Sequence, residues 1–223
     1  MTTDARWRVL QIVDSGFPTG GFAHSAGLEA ALAAGVVDST SSFDAFVRAH
    51  LWNCGNASLP FVAAAHRDPH DFDDLDAAAD ARLVNHVANR ASRTQGRAFL
   101  ATAASVFGAP AVAALAARAA AREIAAHQAP VFGASLAALE VTLGDALAMH
   151  LLLALRGVVS AAVRLGVVGP NEAQRFQGRH AATLDAVLDA CRALTPDDAA
   201  GVAPVFDALG ATHDRLYGRL FQS

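Results

Sequence analysis

Two tracts constrain the fold more than any other feature of this chain. From Ala98 to Ala117 there is no charged residue, and from Ala129 to Gly169 the sequence is apolar apart from a few points, among them Glu140, Asp145, Arg156 and Arg164. Alanine is prominent in both, and it has the highest intrinsic helix propensity. Only 7% of the chain is aromatic against 53% hydrophobic, so a core must be filled by Ala, Leu and Val, whose small side chains let helices approach closely. Each tract is long enough to span a bilayer. The first, however, is broken by Gly108 and Pro110, and the second carries charges that are costly in lipid. Both read as buried helices of a soluble, all-α protein.

Punctuation divides the chain further. Trp7 to Val13 predicts a short helix ending at Asp14-Ser15-Gly16, and Pro18 pushes Phe17 out of helical geometry. A second helix is expected from about Ala23 to Ala34, closed by Gly35. Ser39 to Ser42 offer N-cap hydroxyls to a helix carrying Phe43, Phe46, Val47, His50 and Leu51 at helical spacing. Cys54-Gly55-Asn56 precedes a further helix to about His66. The acidic run around Pro69 suits a loop and a first helical turn. The pattern resumes through Leu83, Val87 and Ala91, then Phe99, Leu100 and Val106 to Gly108, and Pro110 restarts it to about Ala126. Two helices fill Phe132 to Leu165, joined near Gly144 or Gly157. Gly166 and Pro170 bracket a boundary, after which Phe176, Leu184, Val187, Leu188 and Cys191 form one apolar face. Thr195 caps a turn starting at Pro196. No linker or repeat intervenes, which predicts a single domain over 1–223, a bundle of about ten to twelve helices.

The net charge of −4 argues against nucleic-acid binding, which needs a basic surface. Every basic residue is Arg. Cys54 and Cys191 form neither a disulfide framework nor a CxxC pair, which fits a reduced cytosolic compartment. The charged N-terminus is unlike a secretory signal.

The segment Gly16-Phe17-Pro18-Thr19-Gly20-Gly21-Phe22-Ala23-His24-Ser25-Ala26-Gly27-Leu28-Glu29 concentrates chemistry. It lacks the Walker spacing, and no lysine exists to meet phosphates. Catalysis would need His24, Ser25 and Glu29 to converge; on a helix Ser25 and Glu29 share a face while His24 points elsewhere. The alternative is a loop-to-helix joint with Ser25 as cap and Leu28 buried. No His/Cys cluster has metal-ligand spacing; His66 and His70 are separated by Pro69. Glu140, Asp145, His150 and Arg156 read as solvent-facing or ion-paired positions, with a polar interface or channel lining as the alternative. The apolar tail residues Leu216, Tyr217, Leu220 and Phe221 either fold back or meet a partner, with Arg219 as a candidate anchor.

Four blocks resemble one family. LQIVDSGFPTGGFAHSAGLEAAL is similar to the N-terminal signature of the urease accessory protein UreF family, a short helix followed by P-x-G-G-F-x-H/Y-S-x-G-L-E. NRASRTQGRAFLATA resembles its S-x-x-x-G-R-x-L segment through Ser92, Gly96, Arg97 and Leu100. VVSAAVRLGVVGPNEAQRF resembles a later block through Ser160, Arg164, Leu165, Gly169, Gln174 and Arg175, and RLYGRLFQS resembles the family ending. The resemblance implies an all-α homodimeric chaperone or scaffold in the cytoplasm, without catalytic activity or cofactor. It would join UreD (also called UreH) and the GTPase UreG to deliver nickel to apo-urease, and would regulate GTP hydrolysis. Pro18, Gly20, Gly21, Phe22, His24, Ser25, Gly27, Glu29, Arg219, Leu220 and Phe221 would then shape the partner surface. A direct nickel carrier and a small Ser/His hydrolase are the alternatives, and neither a membrane nor a nucleic acid is expected as partner.

Overall fold

A computed structural model describes residues 3–223, and every regular element in them is helical. The α-helices are α1 (Thr3–Ile12), α2 (Leu28–Ala33), α3 (Thr40–Ala57), α4 (Leu59–Arg67), α5 (Phe72–Arg82) and α6 (His86–Phe107). They continue with α7 (Pro110–Ala120), α8 (Gln128–Ala138), α9 (Leu143–Arg164), α10 (Pro170–Arg179), α11 (Ala181–Cys191) and α12 (Pro204–Ala211). The fold is all-α, as the alanine-rich tracts predict.

α9 is the axis. It buries Leu147, Met149, His150, Leu151, Leu155, Val158 and Val159, and α3, α4, α8, α10 and α11 pack around it. Among the described residues it is the one helix long and apolar enough to cross a membrane, yet 56% of that stretch is buried inside the protein. The most extensive helix pair is α4 with α8. There Gly133 lies against the Val62 carbonyl with no room for a β-carbon. The other tract divides: its first half, in α6, buries Phe99, Leu100 and Ala103. α7 buries only Val112 and Ala119, so it is a surface helix rather than a buried one; alanine, with so little apolar area, tolerates either side. One hydrophobic cluster runs from Ile12 on the first helix to Phe221 in the tail.

Several boundaries move, each for a local reason. α2 begins at Leu28 rather than Ala23, because Ala26 and Gly27 have φ of 55° and 84° and Gly21–Ala23 is a separate 3-10 turn. α3 runs straight through Gly55, whose missing side chain admits Val187 and Cys191 of α11. Glu140, at φ 59°, makes the join between α8 and α9, and the Thr142 hydroxyl caps α9 by accepting from the Asp145 amide. The expected face from Phe176 to Cys191 is split between α10 and α11 at His180. Ser39 caps α3 as predicted, in a reciprocal box with Ser42.

A line of rings leads from the opening loop inward: Phe17 to Phe99 (6.2 Å between centroids), Phe99 to Phe132 (5.2 Å) and Phe132 to His150 (5.5 Å). Burial pushes the His150 pKa down to about 4, and the nearby His50 adds to the effect. A histidine depressed on folding takes up protons more readily when unfolded, so its contribution is complete above pH 6.5 and is lost as pH falls towards 4. Urea unfolding followed from pH 7 to 4.5 is expected to show about 2 kcal/mol lost through this residue. His150→Gln should flatten that part of the profile; an unchanged slope would refute the assignment.

Candidate functional site

The opening loop and the C-terminal tail form one structure. The loop starts at Phe17-Pro18, where the Pro18 carbonyl accepts a hydrogen bond from Thr102 (3.3 Å). At Gly20, φ is 81° and a β-carbon would stand 2.9 Å from that of Ala98 and 3.0 Å from the Gln95 Cα. Only glycine allows this loop to lie directly on α6 in that conformation. The 3-10 turn Gly21–Ala23 then leaves Phe22 73% exposed.

The tail leaves α12, makes a 3-10 turn at His213–Arg215, and runs back over the loop. The Ser25 amide donates to the Ser223 carbonyl (2.6 Å), and the Ser25 hydroxyl donates to the same oxygen (2.7 Å). His24 Nδ1 lies 2.7 Å from the Ser223 hydroxyl, and the Gln222 amide donates to the Ala23 carbonyl (2.8 Å). Glu29 receives two tail amides: Leu220 on Oε1 (2.6 Å) and Phe221 on Oε2 (3.2 Å). His213 Nε2 donates to the Phe221 carbonyl (3.1 Å) and stands 3.8 Å from Glu29. Hydrogen bonds to a carboxylate are the stronger kind.

Arg164, at the end of α9, ties the loop and the tail together from the side. Its guanidinium carbon is 4.0 Å from the Phe22 ring centroid and 4.2 Å from that of Phe221, and it donates to the Phe22 carbonyl. At the tail's other edge Asp214 accepts from Arg90 (2.8 and 3.1 Å) and Arg219 (3.2 Å). The Arg90 hydrogen bonds hold its carboxyl below the usual range. Phe22, Tyr217 and Leu220 remain as exposed apolar groups.

The eleven candidate residues therefore divide. Pro18, Gly20, Gly21 and Gly27 shape the backbone, while Phe22, Arg219 and Leu220 face outward. His24, Ser25 and Glu29 are buried and make polar contacts to the tail, and Phe221 is buried with its amide donating back to Glu29. His24 is covered by the tail in this structure, 7% exposed. Gly27 rather than Ser25 holds the N-cap position of α2, though the Ser25 hydroxyl accepts from the Glu29 amide in its first turn (3.4 Å). His24 and Ser25 do not form a base–nucleophile pair, because each bonds to Ser223 instead. Sequence reasoning misses Arg164, His213, Asp214 and Ser223 as members of this site. Arg164 and Ser223 carry a signal, each as part of a family-like block; His213 and Asp214 carry none.

Behind the loop lies a cavity of about 280 Å³ lined in part by Thr19, His24, His50, Gln95, Phe99 and His150. Burial, with Arg90 and His213, lowers the His24 pKa. Burial pushes the Cys54 thiol up to about 12, so at neutral pH it is neither a nucleophile nor a thiolate ligand. Among the described residues, no group of three or more His, Cys, Asp or Glu side chains is placed to hold a metal ion. Arg156, read as a possible ion pair, instead donates to the Val13 carbonyl at the end of α1.

The family model for UreF matches residues 37–181. Over 222 residues the chain is 35% identical to urease accessory protein F of Arabidopsis thaliana, covering 98% of this chain and 92% of that protein. It is 33% identical over 237 residues to urease accessory protein F of Oryza sativa subsp. indica (99% and 86% covered). It is 31% identical over 217 residues to urease accessory protein UreF of Arthrobacter sp. (strain FB24) (96% and 95% covered). The opening loop and the tail lie outside the family-model match.

Proposed function

This chain belongs to the UreF family and is a urease accessory protein, and we propose that it works as a non-catalytic scaffold whose loop–tail face receives other proteins. In this reading it is a single-domain, cytoplasmic chaperone. Acting as a homodimer, it joins UreD (UreH) and the GTPase UreG, assists delivery of nickel as cargo to apo-urease, and regulates GTP hydrolysis. The observation that carries the proposal is the division of labour at the site. His24 Nδ1, Ser25 and Glu29 fix the tail, while Phe22, Tyr217 and Leu220 are held outward on the fixed frame. Exposed aromatic groups on a rigid support are characteristic of protein-binding anchors.

Phe22→Ala is expected to leave unfolding within about 0.5 kcal/mol of the parent. It should reduce co-purification with the UreD and UreG homologues by about tenfold, with Arg219→Ala acting in the same direction. Retention of both partners at parental levels by both variants would remove the proposal. Regulation is checked separately, by GTP turnover of UreG titrated with this protein; a flat titration to saturation would reject that part alone.

A further inference from the structure

A groove of about 770 Å³ lies between α6 and the turn after α7, outside the loop–tail frame. Arg90, Arg93 and Arg97 are spaced i, i+3, i+7 on α6, so they share a face and span about 10 Å along the axis. Arg122 lines the groove from the turn.

Two of the nearby acids, Asp80 and Asp214, are already engaged, while Glu123 lines the groove itself. Asp80 accepts from Asn89 and lies 2.9 Å from His127, Asp214 holds Arg90 and Arg219, and Glu123 sits 3.7 Å from Arg118. The arginines are less fully satisfied. Arg93 reaches Asp80 only at 3.8 Å, and its Nε is buried without a partner. Arg97 makes one hydrogen bond, to the Ala125 carbonyl (3.3 Å), and the Arg122 side chain makes none among the described residues. A chain of net charge −4 thus concentrates positive charge here.

The groove is also rigid. Asp76, itself buried, accepts from the amides of Ala126 (2.9 Å) and His127 (2.7 Å). Arg122 has φ 62°, a left-handed position at a helix end where glycine is the unstrained choice.

We propose that this groove docks an acidic, extended segment of a partner protein. The arginine row is too long for one phosphate to engage, whereas an extended chain places same-side residues about 7 Å apart and meets the row with two carboxylates. Val84, 91% exposed, together with the half-buried Leu83, adds apolar surface at the same groove, which suits a polypeptide rather than a free ion. Asp214 connects the groove to the tail through Arg90 and Arg219, so the segment would bind beside the loop–tail face.

The test uses the full chain and fluorescence anisotropy with a fluorescein-labelled decapeptide of alternating glutamate and serine around a central leucine. Its neutral counterpart carries glutamine for glutamate. The acidic peptide should bind at least about tenfold more tightly and weaken as salt is raised. R97A/R122A should weaken it by about tenfold. Arg122→Gly, which suits the left-handed backbone, should weaken it while leaving the thermal midpoint unchanged or higher, and it decides the matter if the double variant does not fold. Equal binding of the neutral peptide would overturn the proposal, as would indifference of the acidic one to Arg122→Gly. Tighter, arginine-dependent binding of pyrophosphate or of a single-stranded oligonucleotide would also overturn it.

Discussion

Gly96→Ala is expected to destabilise the protein by at least about 3 kcal/mol, lowering Tm by roughly 6–12 °C. Gly96 is buried in α6, and a β-carbon there would stand 2.0 Å from the Ala126 carbonyl oxygen, 3.0 Å from its carbon and 3.1 Å from the Gln128 nitrogen. All three are backbone atoms, so no rotamer relieves the clash. The facing segment would have to retreat by more than about 1 Å to restore ordinary van der Waals contact. It is poorly placed to do so, since Asp76 holds the Ala126 and His127 amides and Ala126 is in a left-handed conformation. Alanine's better helix propensity returns at most about 1 kcal/mol. Gly157→Ala is the control: it sits within α9 with nothing inside 4 Å, and should be neutral or slightly stabilising. Urea unfolding of the two variants beside the parent makes the comparison. A Gly96→Ala protein that unfolds with the parent would show that the turn yields easily.

What can be read along the chain, and what cannot, follows from the range of the forces involved. Caps and breaks are local, so Ser39, Gly35, Gly108, Gly166 and Pro170 mark their positions through their own residue chemistry. Gly55 misleads because a glycine that ends a helix and one that admits a neighbouring helix look alike in sequence; only the presence of Val187 and Cys191 across the gap distinguishes them. Alanine misleads in α7 for a related reason, since it fits a helix whether or not that helix is buried. At the site, the loop is legible from its glycines and its family pattern. Its occupant is not. Ser25 and Glu29 find their partners almost two hundred positions away, at Ser223, Leu220 and Phe221, and no periodicity reports a contact of that separation. His213 looks like an isolated histidine because its hydrogen bond is to a backbone carbonyl, which any residue could supply.

Replacing Glu29 by alanine should leave the helical core standing and release the tail. The two amides held by its carboxylate, at 2.6 and 3.2 Å, are charge-assisted hydrogen bonds. Together they stabilise the docked tail by about 3 kcal/mol. Loss of that amount increases the undocked population by roughly a hundredfold. The freed amides can then be hydrated, so the cost falls on docking rather than on global folding, and Tm should move by only a few degrees. Trypsin gives the direct readout, because Arg215 and Arg219 lie in the tail and should become cleavable much faster than sites in the core. Glu29→Gln keeps the shape but turns an acceptor towards an amide donor, so it should fall between the parent and alanine. Undocking also removes Phe221 from beneath Arg164 and so dismantles the support that holds Phe22 outward. Recruitment of the UreD and UreG homologues and activation of urease should therefore drop by more than about tenfold, further than for Phe22→Ala alone. If the tail of the Glu29→Ala protein stays protected while urease activation fails, Glu29 acts on the partner directly. If the tail is released and activation survives, the docked tail is not part of the working surface.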